Sequence, residues 1–378
     1  MNPVWNCGRV VALGLLCLVH SKAETLRVFV GTYTGGSSEG IYALGFDNRS
    51  GEVTGKILAA KSENPSFLVA SPDGRFLYAV NETDRWKGQS GGYLTAFAIQ
   101  GADGSLRELN QQSAGGGAPC HLTIDRSGRC VLAANYTGGS TVVLPVDADG
   151  SLKPRSMLIQ HRGSSVNADR QKEPHAHSVN LSPDGRHAYV ADLGTDRVYI
   201  HRFDPIAGTL TPAAPDSVAL PPGSGPRHFA FGPDGRRAFV INEIVSTLTG
   251  FSVDRKTGAL GIVDTVTTLP GGPVAGNSTA QVCVHPNGRF VYGSNRGDDS
   301  IVVYVVGKDG RMSFVERTST GGRTPRNFNL DPSGRFLWAA NQSSDSISIF
   351  RVDSQSGRLT PHGKPVTVGS PVCVVFVR

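Results

Sequence analysis

The chain has 378 residues, of which 39% are hydrophobic and 18% are charged, and its formal net charge is +6 at pH 7. A chain of this length could form several ordinary domains, but repeat folds also reach it as one unit. Its positive charges form no basic run of the kind that follows nucleic acid, so nucleic-acid binding is excluded and only a mild preference for small anions is expected.

The first 23 residues resemble an export signal. Arg9 precedes an apolar stretch from Val10 to Val19, and Ser21-Lys22-Ala23 offers small residues for cleavage before Glu24. This apolar stretch is too short to span a bilayer, so we expect no membrane span. We predict a signal peptide over residues 1–23, cleavage near Ala23, export to the periplasm or the medium, and a single domain over residues 24–378.

A repeated unit begins after Ser66. In its first copy, strands at Phe67–Ala70 and Phe76–Val80 flank a turn that ends on Gly74 and Arg75. Proline at the second turn position and glycine at the fourth favour a tight hairpin. The turn glycines recur about every 50 residues, which is typical of β-propeller blades. They are Gly74, Gly128, Gly185, Gly235, Gly288 and Gly334.

A second turn glycine marks each unit independently and occurs seven times, at Gly51, Gly104, Gly150, Gly208, Gly258, Gly310 and Gly357. The first unit lacks its opening strand, and the C-terminal segment Pro371–Val377 has the character of that strand. Pairing the two would close a ring without a free sheet edge. The sequence therefore predicts an all-β, seven-bladed β-propeller of four-stranded antiparallel blades, closed by the C-terminal strand joining the N-terminal blade.

Two positions in each unit should meet at the rim opposite the Gly-Arg turn. Residues eight before and eight after the turn glycine lie on paired strands at similar distances from the turn. Their identity changes from unit to unit, so the ring does not dictate it. By contrast, the residue seven after the glycine is Asn in five units and Asp in one, which indicates a structural role through bonds to local backbone.

Four of the variable rim residues suggest catalysis: His177, Arg227, Glu243 and Arg296. Arg227 and Glu243 occupy the two rim positions of one unit, and the others belong to the units on either side. Guanidinium groups suit the binding of carboxylate or phosphate, whereas glutamate and histidine are common proton carriers. A plain rim ion pair between Arg227 and Glu243 is the alternative.

The candidate substrate-binding residues are His175, Tyr136, Arg326 and Glu82, the last two from units further around the ring. His175 and His177 could share a strand face and bind a metal, but imidazole ligands need more support than the sequence offers. We therefore expect no metal and no cofactor.

Other features of the sequence bear on the site more loosely. Two polar insertions, residues 84–92 and 161–173, could cover the pocket or be mere decoration. His121 and His228, seven before their glycines, should point away from the rim face and pack between units.

The cysteines outside the leader are scattered, so we predict separate buried thiols rather than disulfides. They are Cys120, Cys130, Cys283 and Cys373.

Five phrases of the chain are similar to those of a known family: Val30-Gly31-Thr32-Tyr33-Thr34, Ala133-Ala134-Asn135-Tyr136, Pro174-His175-Ala176-His177-Ser178, Gly225-Pro226-Arg227-His228-Phe229 and Gly293-Ser294-Asn295-Arg296-Gly297. From about Leu26 to Arg378 the chain resembles the seven-bladed propeller lactonases, which include bacterial 6-phosphogluconolactonases and fungal carboxymuconate cyclases. The resemblance implies an active site of His177, Arg227, Arg296 and Glu243. Family members often have Ala-Glu where this chain has Ala280-Gln281.

The resemblance and the rim residues together predict a lactone hydrolase that acts on an anionic, sugar-derived lactone by acid–base catalysis without metal. Glu243 would take a proton from water and His177 would protonate the leaving alkoxide, or the reverse. Two alternatives stay open: a cycloisomerase of the muconate type, and a non-enzymatic, secreted platform that binds protein or polysaccharide. The predicted leader fits a cytosolic phosphorylated substrate poorly. We expect a small-molecule lactone or organic acid as partner, and a monomer.

Overall fold

The computed structural model describes Met1 and residues 25–378, so the predicted signal peptide lies outside the described residues and stays a prediction. Seven antiparallel sheets surround a central channel, and each is one blade of a propeller. Within the described chain the helical content is one short 3₁₀ turn, Gln342–Ser344. No helix in that part is long and apolar enough to cross a bilayer. The predicted fold class is confirmed.

Each blade has four strands that follow one another from the channel outwards. Blade 1 runs from β31 (Pro371–Val377) through β1 (Thr25–Thr32) and β2 (Gly40–Asp47) to β3 (Val53–Lys61). Blade 2 contains β4 (Phe67–Ala70), β5 (Phe76–Asn81), β8 (Tyr93–Gln100) and β9 (Ser105–Ser113), with a separate hairpin of β6 (Arg85–Trp86) and β7 (Gln89–Ser90). Blade 3 contains β10 (Pro119–Ile124), β11 (Cys130–Asn135), β12 (Ser140–Pro145) and β13 (Met157–Gln160).

Blades 4–7 follow the same order. Blade 4 contains β14 (Ala176–Leu181), β15 (His187–Asp192), β16 (Arg197–Asp204) and β17 (Thr209–Ala219). Blade 5 contains β18 (Pro226–Phe231), β19 (Arg237–Asn242), β20 (Thr247–Val253) and β21 (Leu260–Thr267). Blade 6 contains β22 (Ser278–Val284), β23 (Phe290–Arg296), β24 (Ser300–Val306) and β25 (Met312–Ser319). Blade 7 contains β26 (Pro325–Leu330), β27 (Phe336–Asn341), β28 (Ser346–Val352) and an outer edge split into β29 (Leu359–Pro361) and β30 (Val366–Thr367).

The C-terminal strand closes the ring as predicted. β31 pairs with β1 over a register that runs from Arg27 opposite Val377 to Gly31 opposite Cys373. Apolar clusters fill the spaces between neighbouring blades, including the closing interface between blades 7 and 1. There the ring of Phe46 packs edge-on against Trp338, with ring centroids 5.1 Å apart. Burial of these faces stabilises the ring.

The Gly-Arg turns have the predicted geometry. Gly74 adopts φ +69°, which favours glycine, and its N–H donates to the Ser71 carbonyl at 2.9 Å. The second series of glycines joins neighbouring blades, because the hydroxyl of Tyr78 in blade 2 donates to the Gly150 carbonyl of blade 3 at 3.0 Å. A methyl group on Gly150 would lie only 2.3 Å from the Phe76 ring. These turns therefore fix blade spacing as well as strand reversal.

The inner strands carry a feature that the sequence did not predict. In six of the seven blades the pairing of the inner strand shifts by one residue near the rim, which is a β-bulge. In blades 3, 4, 5 and 7 the extra residue stands eight before the turn glycine, and these residues are Cys120, His177, Arg227 and Arg326. Three of the candidate site residues, His177, Arg227 and Arg326, thus lie outside the regular ladder.

The nearly invariant position seven after each glycine is structural, as expected. Asn81 is fully buried and donates to the Glu63 carbonyl at 2.6 Å, and Asn135 donates to the Ala114 carbonyl at 3.0 Å. The cysteines of the described chain are all free thiols, three of them buried and Cys283 half-buried. The prediction of separate thiols is therefore confirmed, with Cys283 less buried than expected.

Candidate active site

Four predicted residues meet at the end of the channel opposite the Gly-Arg turns. Glu243 Oε2 lies 2.8 Å from Arg227 Nε, 3.2 Å from an Arg296 terminal nitrogen and 3.8 Å from His177 Nε2. Blades 4, 5 and 6 each contribute to this arrangement, so the structure brings the four side chains together. We call the space that Glu243, His177, Arg296 and Arg326 surround the central pocket.

The two guanidinium groups are held on both sides. Arg227 is 2% exposed and donates from a terminal nitrogen to the Ala280 carbonyl at 2.7 Å. Arg296 donates to the Thr279 carbonyl at 2.8 Å. Each guanidinium therefore bridges Glu243 and a main-chain carbonyl of β22. Such bonds fix the orientation of both groups before any ligand binds.

A third guanidinium, which sequence reasoning missed, completes the shell around the carboxylate. Arg170 donates to Glu243 Oε1 at 2.8 Å and to the Tyr136 hydroxyl at 3.0 Å. It belongs to the insertion over residues 161–173. The polar composition of that insertion was noticed, but nothing in the repeat identified Arg170, because no other unit has an equivalent position.

The insertion is an ordered loop. The Gln171 side chain donates to the Leu193 carbonyl at 2.8 Å, and the Ser165 hydroxyl donates to Asp196. At the start of the loop, buried His161 pairs with Asp192 at 2.7 Å. These contacts tie the loop to blade 4, so this insertion reaches the central pocket.

The other insertion does not show such a contact. Residues 84–92 form the β6–β7 hairpin, in which Trp86 stacks on Tyr93 at 5.5 Å and donates to Gln111 at 3.3 Å. Tyr93 and Gln111 belong to blade 2 itself. The hairpin therefore packs against its own blade, and at its base Asp84 accepts a hydrogen bond from the Thr137 hydroxyl of blade 3.

Burial and the neighbouring guanidiniums shift the pKa values of Glu243 and His177. Burial alone would raise the pKa of Glu243, but Arg296, Arg227 and Arg170 together lower it to about 2. The pKa of His177 lies well below its usual 6.5, chiefly because the imidazole is buried and secondarily because of Arg227 and Arg326. At neutral pH the site therefore holds an ionised carboxylate beside a neutral imidazole.

Cys120 contacts the other edge of His177. Its sulfur lies 3.6 Å from His177 Nδ1 and 3.4 Å from the His177 carbonyl oxygen. Burial raises the pKa of the Cys120 thiol well above its usual value. The thiol is therefore a neutral neighbour that helps hold the imidazole in place.

Tyr136 and His175 form one wall beside His177. Their rings stack with centroids 4.5 Å apart, and His175 Nδ1 lies 3.0 Å from the Tyr136 carbonyl oxygen. The Tyr136 ring also contacts the His177 ring edge-on at 5.2 Å. Among residues 25–378, no group of three or more His, Cys, Asp or Glu side chains is arranged to hold a metal ion.

The opposite wall comes from blades 1, 2 and 7. Glu82 accepts hydrogen bonds from the Ser66 hydroxyl and from the Tyr33 hydroxyl, the latter at 2.9 Å. The guanidinium carbon of Arg326 lies 5.3 Å from the centroid of the Tyr33 ring. These contacts join Glu82 and Arg326 through Tyr33 into a second group, which is separate from the Arg227–Glu243 pair.

Aromatic rings fill the channel beneath the pocket. The His121 ring lies 4.2 Å from Phe67 and 5.1 Å from His228, which lies 5.4 Å from His177. The expectation that His121 and His228 pack between blades is wrong. The bulge adds one residue to each inner strand, so the simple alternation of sides fails there. On the far side of these rings, a cavity of about 360 Å³ opens toward the Gly-Arg turns.

Comparison with known proteins places these observations in context. The family described as "Lactonase, 7-bladed beta-propeller" matches residues 27–376. A 6-phosphogluconolactonase of Bacillus subtilis is 36% identical over 351 residues, covering 93% of this chain and 98% of the relative. A second one, from Formosa agariphila, is 34% identical over 337 residues and covers 88% of this chain and 94% of the relative.

A solved structure has the same architecture. The periplasmic gluconolactonase of Pseudomonas aeruginosa is 38% identical, with a TM-score of 0.88. That alignment covers 94% of this chain and 99% of the other. The likeness therefore extends over the whole propeller.

Proposed function

The chain belongs to the seven-bladed β-propeller lactonase family, and on that premise we propose that it opens an acidic, sugar-derived lactone by adding water to the ring carbonyl. The Bacillus subtilis relative is named for a phosphorylated substrate and the Pseudomonas aeruginosa one for gluconolactone. Both names describe ring esters of sugar acids. We infer the same reaction class for this chain.

One observation supports the proposal above the rest: the ionised Glu243 and neutral His177 lie 3.8 Å apart between fixed guanidinium groups. Lactone hydrolysis places negative charge on the carbonyl oxygen and requires a base for the attacking water. Arg227 and Arg296 supply positive charge at fixed positions, and His177 supplies a free lone pair. The central pocket thus contains each group that the reaction requires.

We assign the base to His177. The Cys120 thiol can donate to the His177 carbonyl while its sulfur accepts from Nδ1–H, which leaves Nε2 unprotonated. Water would lose a proton to Nε2 as its oxygen bonds to the carbonyl carbon. When the ring C–O bond breaks, the same proton passes to the leaving alkoxide, and the product is the open hydroxy acid.

Glu243 then has a supporting role. A carboxylate with a pKa of about 2 that is bonded to three guanidiniums is a weak base. It orients Arg227 and Arg296, and it stabilises the imidazolium that forms on His177. The two roles that the sequence left interchangeable are therefore assigned in this way, and the protein's own groups perform the proton transfers without metal.

Burial of the site favours an enzyme over a binding platform. His177 and Glu243 are each 4% exposed, whereas a rim that docks protein or polysaccharide would present such residues to solvent. A muconate-type cyclisation would use a similar set of charges. We place it second, because the two relatives described above, each more than 30% identical to this chain, are named as lactonases.

We further propose that the protein is exported and acts as a monomer. The sequence of the leader supports export, and the named periplasmic activity of the Pseudomonas aeruginosa relative agrees with it. Closure of the ring within one chain leaves the site complete without a second copy. Fractionation of cells and light scattering would check these two points.

The test is lactone opening followed by titration of the acid released. We expect the purified protein to open 6-phosphogluconolactone or gluconolactone far faster than buffer does. The Glu243→Gln variant should lose most of this activity while keeping a wild-type circular dichroism spectrum, and His362→Gln, far from the pocket, should keep full activity. Rates no faster than buffer on every lactone, or cyclisation of a muconate instead, would contradict the proposal.

A further inference from the structure

Arg326 differs from the other arginines of the central pocket. Arg170, Arg227 and Arg296 all donate to Glu243. Within the described residues, the Arg326 guanidinium makes no hydrogen bond and no ion pair, and its contact is with the face of the Tyr33 ring. Its backbone N–H is satisfied by the Thr324 carbonyl at 2.7 Å. The five N–H donors of its guanidinium therefore have no acceptor among the described residues.

The nearest acidic side chain is not placed to supply that acceptor. Glu82 lies outside ion-pair distance of Arg326, and one of its oxygens already accepts from Tyr33 and Ser66. Arg326 is half-buried, and partial removal of a guanidinium from water is costly unless the charge is paired, so an anionic ligand at this position would stabilise it. A guanidinium offers paired donors that match a carboxylate or a phosphate.

Arg326 shares one electrostatic environment with the proposed reacting groups. Its charge contributes to the low pKa of His177 and of Arg227, and the acidic groups that raise its own pKa against the effect of burial include Glu82 and Glu243. Arg326 belongs to the inner strand of blade 7, two blades from the Arg227–Glu243 pair of blade 5. Because its charge acts on His177 and Arg227, we expect one small molecule at the site to meet both Arg326 and that pair.

Arg227 and Arg296 already donate to Glu243 and to main-chain carbonyls, although Arg296 Nε has no partner, so a separate acid group would find fewer free donors on them than on Arg326. We propose that Arg326 binds the anionic group that a lactone carries away from its ring carbonyl, and so makes the protein selective for acidic lactones over neutral ones. This inference rests on the proposed function. A phosphate ester and a carboxylate share the chemistry that Arg326 would recognise.

The experiment compares three lactones of similar size: 6-phosphogluconolactone, a glucose-derived lactone with a terminal carboxylate, and neutral gluconolactone. Wild-type protein should have a higher kcat/KM for at least one acidic lactone than for the neutral one. In Arg326→Gln we expect this preference to fall about 10- to 100-fold, mainly through KM, because charge-assisted hydrogen bonds are lost. Whether phosphate or carboxylate suffers more identifies the source of the anion.

Two further variants keep the test decisive. Arg326→Lys keeps the charge and should recover part of the preference, which separates binding from a loss of structure. Arg323→Gln removes an exposed arginine near the start of the same strand, which donates to the Ser343 carbonyl, and should leave the preference unchanged. An equal loss on all three lactones, or no change in preference, would overturn the role of Arg326 alone. If the wild-type protein opened none of them, the proposed function would fail as well.

Discussion

His177 and Glu243 show how one pocket can separate two titratable groups. The same two conditions act on both groups: burial away from water and nearby guanidiniums. Burial favours the neutral imidazole, and the guanidiniums disfavour its protonation further. For the carboxylate, the guanidiniums outweigh burial and keep it ionised. Pairs of this kind are typical of sites that perform proton transfer.

The low pKa of His177 predicts an unusual pH profile. A base works in its unprotonated form, so kcat/KM should persist at about pH 6 and fall only at more acidic pH. Initial rates on one lactone between about pH 4.5 and pH 7.5 would show this. In His177→Asn we expect kcat to fall about 10²- to 10⁴-fold and the acidic limb to disappear. An acidic limb of kcat/KM centred near pH 6.5 would instead report an imidazole with an ordinary pKa. It would contradict the assignment of the buried His177 as the base.

At the scale of elements, the loop over residues 161–173 is an insertion that adds one side chain, Arg170, to a site otherwise built from the blades. Arg170 is the most exposed of the three guanidiniums around Glu243, with 43% of its side chain accessible. Other side chains of the loop donate to Asp196 and Leu193 of blade 4, whereas Arg170 donates to Glu243 of blade 5. It therefore connects two blades across the mouth of the pocket.

Replacement of Arg170 should weaken catalysis without unfolding the propeller. Arg170→Gln removes charge-assisted bonds to Glu243 and Tyr136, and we expect kcat/KM to fall about 10- to 100-fold. Arg162→Gln is a matched control, because Arg162 is an exposed arginine of the same loop. Equal kinetics of the two variants would show that the Arg170–Glu243 contact is dispensable.

The turn glycines allow a comparison of two kinds of cost. Gly150 and Gly185 both have positive φ, at +87° and +73°, but only Gly150 abuts a neighbouring blade. Alanine at either position incurs backbone strain. Gly150→Ala should also disturb Phe76 and lower the free energy of unfolding by about 1–3 kcal/mol more than Gly185→Ala. Urea unfolding would measure the difference. Equal losses of unfolding free energy in the two variants would mean that Phe76 moves aside without cost.

Particular residues show what the sequence could predict. The fold was predictable because each unit contains its own turn signals, from Gly74 to Gly334, and because the tail supplies the missing strand. The meeting of Arg227 with Glu243 followed from hairpin register alone. Arg170 could not be found this way, since it lies in an insertion outside the repeat. The bulges were also hidden, because an extra residue in a strand changes no residue type, and they misplaced His121 and His228.

At the scale of the whole molecule, stability depends on β31. Its residues Val374 and Cys373 belong to the apolar clusters on the two sides of blade 1. Without this strand, β1 would expose an unpaired edge, and the inner ring would be open. The closing interface is therefore the point at which the propeller is most vulnerable to truncation.

We expect a chain that ends at Gly369 to lose cooperative unfolding and to aggregate. A circular permutant tests whether cooperative unfolding requires β31 itself or its position at the end of the chain. Because Arg27 pairs with Val377, Arg378 can be linked to Thr25 by a short segment, with new ends placed in the exposed Gly271-Gly272 loop. This permutant should melt cooperatively, as seen by circular dichroism. A truncated chain that melts like the intact protein would contradict the role of β31.

The bulges of the inner strands also bear on how such proteins diversify. The extra residue of a bulge is not paired in the ladder, so its side chain can be substituted while the strands keep their backbone hydrogen bonds. Cysteine, histidine and arginine already occupy equivalent bulges in different blades of this chain. Repetition of the blade therefore gives the propeller several bulge positions whose side chains can be substituted independently. New substrates can be accommodated in this way while the sheets stay unchanged.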